Sequence, residues 1–290
     1  MEYHQNQFED FSLLIFKNDK LIAILPANKV DNAVYSHQGL TYGGLVFSKS
    51  IKFEVVLNVF KNLLLYLQEN EISKLILKQL PAIYTNLPND EFQYLSFIVK
   101  AKLLRRDVLS SIYLNSPIKI SNNRLEGFKK AKHFQLTIKE ESSFDTFWNK
   151  ILIPNLQTKY KVNPIHTLEE ITLLKNRFPN NIRQFNVYDE NTIVAGTTIF
   201  ETKHVAHAQY ISANQTKNQL GSLDYLFVYL ITEVFKNKTV FDFGTSNENQ
   251  GLHINKGLQF WKEGFGARSV TQDFYEIETK NYILLDTVFI

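Results

Sequence analysis

The sequence predicts a mixed α/β protein built from two similar tandem domains. Alternating apolar residues, typical of strands, give way to apolar residues at the three-and-four spacing of helices. The same order of elements also occurs twice: a strand hairpin, a third strand, a helix and a further strand. A duplicated structural unit is the simplest explanation of two matching halves.

The first half begins with a hairpin predicted over 14–25, in which two apolar strands flank an Asn-Asp turn. A third strand is expected from Gln38 to Phe47, and another strand from Lys74. Between them lies a helix with apolar residues at helical spacing, namely Val56, Val59, Phe60, Leu63, Leu64 and Leu67.

The second half follows the same order, with a hairpin predicted over 186–197, a third strand from His204 and a later strand from Thr239. Ile15 in the first hairpin corresponds to Val187 in the second. The intervening helix again has apolar residues at helical spacing, namely Leu223, Leu226, Phe227, Leu230, Ile231, Val234 and Phe235.

Residues 121–180 are expected to form a helical connector that packs with the second domain. Helices are predicted near 125–131 and 144–156, and a third begins after an N-cap at Thr167. The apolar tail 281–290 is expected to form a last strand or a packing segment. The predicted domains are therefore 1–120 and 181–290, joined by 121–180.

Composition excludes several classes of function. The 290 residues are 44% hydrophobic and 21% charged, as in ordinary globular proteins, and contain no cysteine. Disulfide frameworks, thiolate catalysis and cysteine zinc sites are therefore excluded. We predict no metal, because His204 and His207 would point to opposite faces of a strand. A polar, acidic N-terminus and the lack of a long apolar run predict a cytoplasmic protein with no membrane span.

Charge is distributed unevenly along the chain. The formal net charge is +3, but the segment from Lys100 to Lys132 has nine basic residues and two acidic ones. Such a segment is either a solvated surface or a patch that binds an anionic ligand, such as a phosphate-bearing cofactor, a nucleotide-sugar or RNA.

Three stretches carry a resemblance to a known family. They are Phe-Asp-Phe-Gly at 241–244, Phe-Trp-Lys-Glu-Gly-Phe-Gly at 260–266, and Arg105-Arg106 to Leu114 with the lysine-rich helix after it. With the element order, they resemble the GNAT N-acyltransferase fold in its doubled form, as in FemAB-like relatives of the Fem-type peptidoglycan aminoacyl transferases. The resemblance implies splayed strands whose backbone N–H groups face an acyl donor.

The resemblance also implies a donor. Acetyl-CoA users of the GNAT family have a glycine-rich turn that binds the CoA pyrophosphate at a helix N-terminus. The equivalent stretch here, 215–222, has one glycine. Gly221, Ser222 and Asn247 are the expected cofactor-binding residues, and acyl-CoA, with acetyl-CoA favoured, is the expected co-substrate. The first half lacks a glycine at 47–50, so its domain is expected to shape the acceptor site.

Three residues are candidates for catalysis, each with a structural alternative. Asp242 would accept the amine proton or orient the acceptor; alternatively it binds loop N–H groups. Lys262 would neutralise a phosphate or the donor's carboxyl; alternatively it is a surface lysine. Tyr210 would protonate the leaving group or line the acyl pocket; alternatively it is a half-buried structural tyrosine. Candidate substrate-binding residues are Glu201, Arg106 and Tyr42.

The favoured function is an N-acyltransferase that moves an acyl group from acyl-CoA to an amine of a small molecule, an amino sugar or a cell-envelope precursor. One alternative is a Fem-type transferase that uses aminoacyl-tRNA, although the chain has no long heptad segment for a tRNA-binding arm. Another is an inert binding module, which the glycine-poor turn would favour.

Overall fold

A computed structural model describes residues 7–36, 38–49 and 51–290 of the chain. The first six residues of the polar N-terminus and Ser50, at the predicted helix entry, lie outside these ranges. The fold is mixed α/β, as predicted. The chain forms two compact units: unit 1 comprises the chain up to Asp107 with 249–253 and 271–290, and unit 2 comprises 108–248 with 254–270.

The strands, in chain order, are β1 (Glu9–Asp10), β2 (Leu13–Lys17), β3 (Lys20–Leu25), β4 (Asn28–Val30), β5 (Ala33–Tyr35), β6 (Val46–Phe47), β7 (Lys74–Lys78), β8 (Lys102–Tyr113), β9 (Thr137–Glu141), β10 (Ile182–Asp189), β11 (Thr192–Glu201), β12 (Val205–Ala213), β13 (Val240–Thr245), β14 (Asn247–Glu248), β15 (His253–Ile254) and β16 (Arg268–Glu278).

The α-helices are α1 (Phe53–Glu69), α2 (Glu91–Ile98), α3 (Asn122–His133), α4 (Asp145–Phe147), α5 (Ile153–Tyr160), α6 (Leu168–Arg177), α7 (Lys217–Leu220), α8 (Ser222–Tyr229) and α9 (Lys256–Glu263). Short π-helical turns lie at Trp148–Leu152 and Leu230–Val234, and 3-10 segments at Ala82–Tyr84 and Thr279–Thr287.

Unit 1 contains the predicted first hairpin and the helix after it. β2 and β3 pair antiparallel, and α1 buries one apolar face against the strands of its unit. The predicted third strand is wrong, because only Val46–Phe47 is extended and paired. Gly39 and Gly44 have positive φ, and a Cβ on Gly44 would lie 2.6 Å from the carbonyl oxygen of Lys78. The glycine-rich loop therefore folds closely against β7.

The C-terminal tail belongs to unit 1, not to the second predicted domain. β16 pairs antiparallel with β7, for example Phe274 opposite Lys78. After it, the chain turns into a 3-10 segment whose Leu285 is buried in the core of unit 1. The expectation of a packing segment at 281–290 is confirmed, and that of a last strand is wrong. Sequence periodicity could not show this return, because it depends on pairing between distant segments.

Unit 2 contains the second predicted hairpin, formed by β10 and β11, and the strand order β8-β13-β12-β11-β10-β9. β12 and β13 are parallel, and the other neighbouring pairs are antiparallel. Segment 121–180 lies in this unit and supplies helices α3 to α6. It also supplies β9, a strand that the sequence analysis did not predict.

Candidate functional site

A cavity of about 800 Å³ opens in unit 2 where β12 and β13 diverge. Their parallel pairing ends with His207 opposite Asp242. Beyond that point, residues 208–213 of β12, except Tyr210, line the cavity, as do Phe243 and Thr245 of β13. Parts of α3, α5, α7, α8 and α9 complete the wall. Splayed strand ends of this kind were expected from the resemblance.

The cavity is cationic. Its lining includes two acidic residues and five basic ones: Glu126 and Asp224, and Arg124, Lys130, Lys159, Lys217 and Lys262. The pKa of Lys217 is lowered, first by burial and then by the nearby charge of Lys159. An excess of positive charge in a concave site favours an anionic ligand.

Asp242 makes hydrogen bonds at the point where β12 and β13 separate. Its side chain is fully buried; Oδ1 accepts hydrogen bonds from Ser111 Oγ at 2.9 Å and from the N–H of Gly244 at 3.0 Å. Oδ2 lies 2.9 Å from Nδ1 of His207. Asp242 is not a lining residue, and these contacts match the structural alternative, a carboxylate that binds loop N–H groups.

Lys262 is buried and lines the cavity, unlike an ordinary surface lysine. It lies in α9, and its Nζ donates to the carbonyl oxygens of Gly244 at 3.0 Å and Thr245 at 2.7 Å. Burial lowers its pKa to about 8, and the charge of Asp242 opposes that shift. The lysine therefore connects α9 to the end of β13 and places a titratable group at the cavity wall.

Tyr210 lies away from the cavity. Its hydroxyl is 2.7 Å from Nδ1 of His166 and accepts from the N–H of His166 at 3.1 Å. Its ring packs edge-on against Trp148, with centroids 5.1 Å apart. The side chain is buried in the layer that α4 and the following π-helical turn form over the sheet. Tyr210 is thus the one residue of 208–213 that does not line the cavity, a pattern that simple alternation along β12 would not produce.

Of the expected cofactor-binding residues, Gly221 lines the cavity and the other two do not. Gly221 has φ +68°, and a Cβ there would lie 2.1 Å from the carbonyl oxygen of Gly127 in α3. Ser222 is fully buried at the start of α8. Asn247 Oδ1 accepts hydrogen bonds from Val108 N–H at 2.7 Å and from Thr245 Oγ1 at 2.9 Å, so it orders the loop after β13.

The expected substrate-binding residues also lie elsewhere. Glu201 makes a salt bridge with Lys238, with 2.8 Å between nitrogen and oxygen, at the end of β11. That end of β11 lies beside the start of β12, whereas the cavity lies beside the end of β12. Arg106 and Tyr42 belong to unit 1, and the cavity lining comes from unit 2. Arg106 makes a two-point ion pair with Asp273, which raises the pKa of the guanidinium; Tyr42 packs against Tyr84.

The basic segment 100–132 divides between two kinds of environment. Arg105 and Arg106 form ion pairs with carboxylates of unit 1, Asp107 and Asp273. Arg124 and Lys130 line the cavity of unit 2. Only part of the charge of this segment is therefore available to a ligand in the cavity.

Asp224, in the first turn of α8, is a lining residue that the sequence analysis missed. It accepts from Arg124 Nη1 at 2.6 Å and from Trp261 Nε1 at 2.9 Å, so one carboxylate joins α3, α8 and α9. Burial raises its pKa, while the bonds from Trp261 and Arg124 oppose that shift. Acidic residues favour the first turn of any helix, so the position of Asp224 in the sequence did not mark it as a cavity residue.

Gln209 and His207 were also missed. Both lie in the predicted third strand of the second half. The sequence of one strand does not indicate which of its residues faces a cavity, or which faces a carboxylate of the adjacent strand. Register alone brings His207 opposite Asp242.

No group of three or more His, Cys, Asp or Glu side chains among the described residues is arranged to hold a metal ion. None of the helices in residues 7–36, 38–49 and 51–290 is long and apolar enough to span a bilayer.

Comparison with known proteins gives similarity of fold without similarity of sequence. No family model and no curated protein sequence matches the chain. Among solved structures, L-PGS from Bacillus licheniformis has a TM-score of 0.64 at 13% identity, over 94% of this chain and 88% of that one. FemX has a TM-score of 0.63 at 10% identity, over 98% and 92%.

A tandem GNAT protein from the clavulanic acid biosynthesis pathway has a TM-score of 0.50 at 8% identity, over 92% of this chain and 82% of that one. These structures confirm the predicted fold, a tandem GNAT-like fold that FemX shares.

Proposed function

We propose that the chain is an N-acyltransferase that moves an acyl group onto an amine in the cavity of unit 2. The observation that carries this proposal is the divergence of β12 and β13 beyond His207 and Asp242. The divergence leaves one edge of β12 along the cavity. N–H groups on such an edge donate to a carbonyl oxygen and stabilise the negative charge that develops on it.

In this reaction the amine nitrogen attacks the acyl carbonyl carbon. A C–N bond forms, the C–S bond of a thioester donor breaks, the amine loses a proton, and the departing thiolate gains one. Lys262 is the proposed proton-exchanging group, because it lines the cavity and its pKa of about 8 is close to neutral pH. The proposed acceptor is an amine of a small molecule, an amino sugar or a cell-envelope precursor.

The proposed donor is acyl-CoA, with acetyl-CoA as the first candidate. Lys159 and Lys217 would bind its phosphates beside Gly221, which lines the cavity just before the start of α8. Asp224 suits a diphosphate less well, but its ion pair with Arg124 offsets the negative charge. The remaining cations keep the site favourable to an anion.

Thermal-shift measurements with CoA and acetyl-CoA test this donor. We expect a rise of several degrees in the melting temperature, and its loss in a Lys159→Gln/Lys217→Gln double variant. Lys236→Gln is the matched control, because Lys236 is exposed and lies outside the cavity lining. Mass spectrometry of glucosamine incubated with acetyl-CoA then tests transfer. A folded protein that shows neither shift nor transfer would contradict the proposal and favour the inert binding module.

A second candidate is transfer of an aminoacyl group from aminoacyl-tRNA. Asp224 favours it, because the part of its negative charge that Arg124 leaves uncompensated attracts the ammonium group of an aminoacyl ester and repels a diphosphate. The similarity of fold to L-PGS and FemX is compatible with this candidate. Transfer of radiolabelled lysine from lysyl-tRNA, with tRNA binding that weakens steeply as salt rises, would support it over acyl-CoA.

A further inference from the structure

β12 contains a bulge at Gln209. Tyr210 is opposite Thr198 and Ala208 is opposite Ile199, so two consecutive residues of β11 face three of β12. Gln209 is the additional residue. Bulges redirect side chains and are frequent beside active sites. Here the redirected side chain lines the cavity, next to the point where β12 and β13 separate.

The Oε1 atom of Gln209 is a buried acceptor without a donor. Within residues 7–36, 38–49 and 51–290 it has no hydrogen-bond partner. Buried side-chain oxygens are satisfied in the large majority of cases. The oxygen and nitrogen of a terminal amide exchange positions by a half-turn about one bond, so a ligand in the cavity can satisfy this oxygen.

Other polar side chains on this part of the wall already have partners. Lys262 donates to two backbone carbonyls, Thr245 Oγ1 donates to the carboxamide of Asn247, and Ser212 Oγ accepts from Asn155. The unsatisfied acceptor on this part of the wall is therefore Gln209 Oε1. A ligand with a polar hydrogen could donate to it. Of the two proposed substrates, the attacking amine is the one that must carry N–H at its reacting atom.

We propose that Gln209 binds the acceptor amine, with its amide oxygen accepting a hydrogen bond from the amine N–H. Holding one N–H in this way directs the nitrogen lone pair toward the acyl carbonyl, which the proposed function places along the edge of β12. The inference depends on that function. Gln209 contributes acceptor affinity and orientation, while the bonds formed and broken are those of the acyl transfer described above.

Gln209→Met is the test variant, because methionine has a similar length and lacks the amide. With acetyl-CoA as donor and glucosamine, ethanolamine and spermidine as acceptors, we expect the KM for the amine to rise about tenfold, which corresponds to about 1.4 kcal/mol. The KM for acetyl-CoA should stay within twofold. The melting temperature without ligand should be unchanged or higher, because the variant removes an unsatisfied buried oxygen.

Gln157→Met is the matched control, since Gln157 is exposed in the same unit and lies outside the cavity lining. It should leave all these values unchanged. A fall of several degrees in the melting temperature of Gln209→Met would assign the side chain a structural role and overturn the inference. So would a rise in the KM for acetyl-CoA with no change for the amine.

Lack of turnover by the wild-type protein with these donors would instead contradict the proposed function. In that case the melting temperature of Gln209→Met still tests whether Gln209 has a structural role. Failure of the proposed function and failure of the inference on Gln209 are therefore distinguishable.

Discussion

His207 Nδ1 lies 2.9 Å from Asp242 Oδ2, at the last register pair of β12 and β13 before these strands separate. The other carboxylate oxygen is held by Ser111 on β8 and by the N–H of Gly244. One buried carboxylate thus connects the neighbouring strands β8, β13 and β12 at the point where the cavity begins. We infer that Asp242 fixes where the strands separate.

Asp242→Ala should lower the free energy of unfolding by about 3 kcal/mol, because it leaves several donors without their acceptor in a buried site. Urea unfolding followed by circular dichroism measures this loss. Glu190→Gln, in the exposed turn between β10 and β11, is the control and should change stability by less than about 0.5 kcal/mol. A loss below about 1 kcal/mol for Asp242→Ala would show that the carboxylate does not anchor the strands.

Local patterns in the sequence predicted local structure well. Helical spacing located α1, alternation located both hairpins, and Thr167 was identified as an N-cap that the structure confirms. The prediction of a third strand in unit 1 was wrong because the glycines of this segment allow the loop to pack closely against β7, which is a tertiary contact. The tail was misassigned because β16, the strand before it, pairs with β7 almost 200 residues earlier in the chain.

The site was predictable only in part, for the same reason. The sequence located the strand from Thr239 through its apolar pattern, and it pointed to Lys262 through the resemblance of 260–266 to a family motif. It could not show that Tyr210 faces His166 or that Gln209 sits in a bulge, because each depends on a neighbouring segment. Side-chain direction at a bulge cannot be read from simple alternation.

Gly221 should tolerate no side chain. Gly221→Ala would strain a backbone with φ +68° and place a Cβ 2.1 Å from the carbonyl oxygen of Gly127, so α3 and α8 would have to move apart. We expect the free energy of unfolding to fall by about 2–3 kcal/mol. Urea unfolding provides the measurement.

Gly257→Ala is the matched variant, because Gly257 also lines the cavity but lies within α9, where its Cβ would make an ordinary contact at 3.7 Å. It should stabilise the protein by about 0.5–1 kcal/mol, since alanine favours the helix. Equal losses in the two variants would argue against a close approach at Gly221.

The buried ammonium of Lys262 should make stability depend on pH. Its pKa is about 8 in the folded protein and about 10.4 in an unfolded chain. Between these values the unfolded state binds more protons, so the free energy of unfolding should rise with pH. Relative to Lys262→Met, which does not titrate, the wild-type protein should gain about 3 kcal/mol between pH 7 and pH 10.5.

Denaturant unfolding of both proteins at several pH values checks this difference. Lys236→Met, at an exposed position, should run parallel to the wild-type protein over the same range. A constant difference between wild type and Lys262→Met would mean that the ammonium is as well solvated in the folded state as in the unfolded one.

The N-terminus of α6 should be stabilised by both halves of a capping box. Thr167 Oγ1 accepts from the N–H of Glu170 at 3.2 Å, and the Glu170 side chain accepts from the N–H of Thr167 at 2.8 Å. Thr167→Ala should therefore cost about 1 kcal/mol of unfolding free energy, whereas Thr167→Ser keeps the hydroxyl and should cost little. Urea unfolding of Thr167→Ala, Glu170→Ala and the double variant measures the coupling. Strictly additive losses would contradict a reciprocal cap, because the two bonds share the same turn.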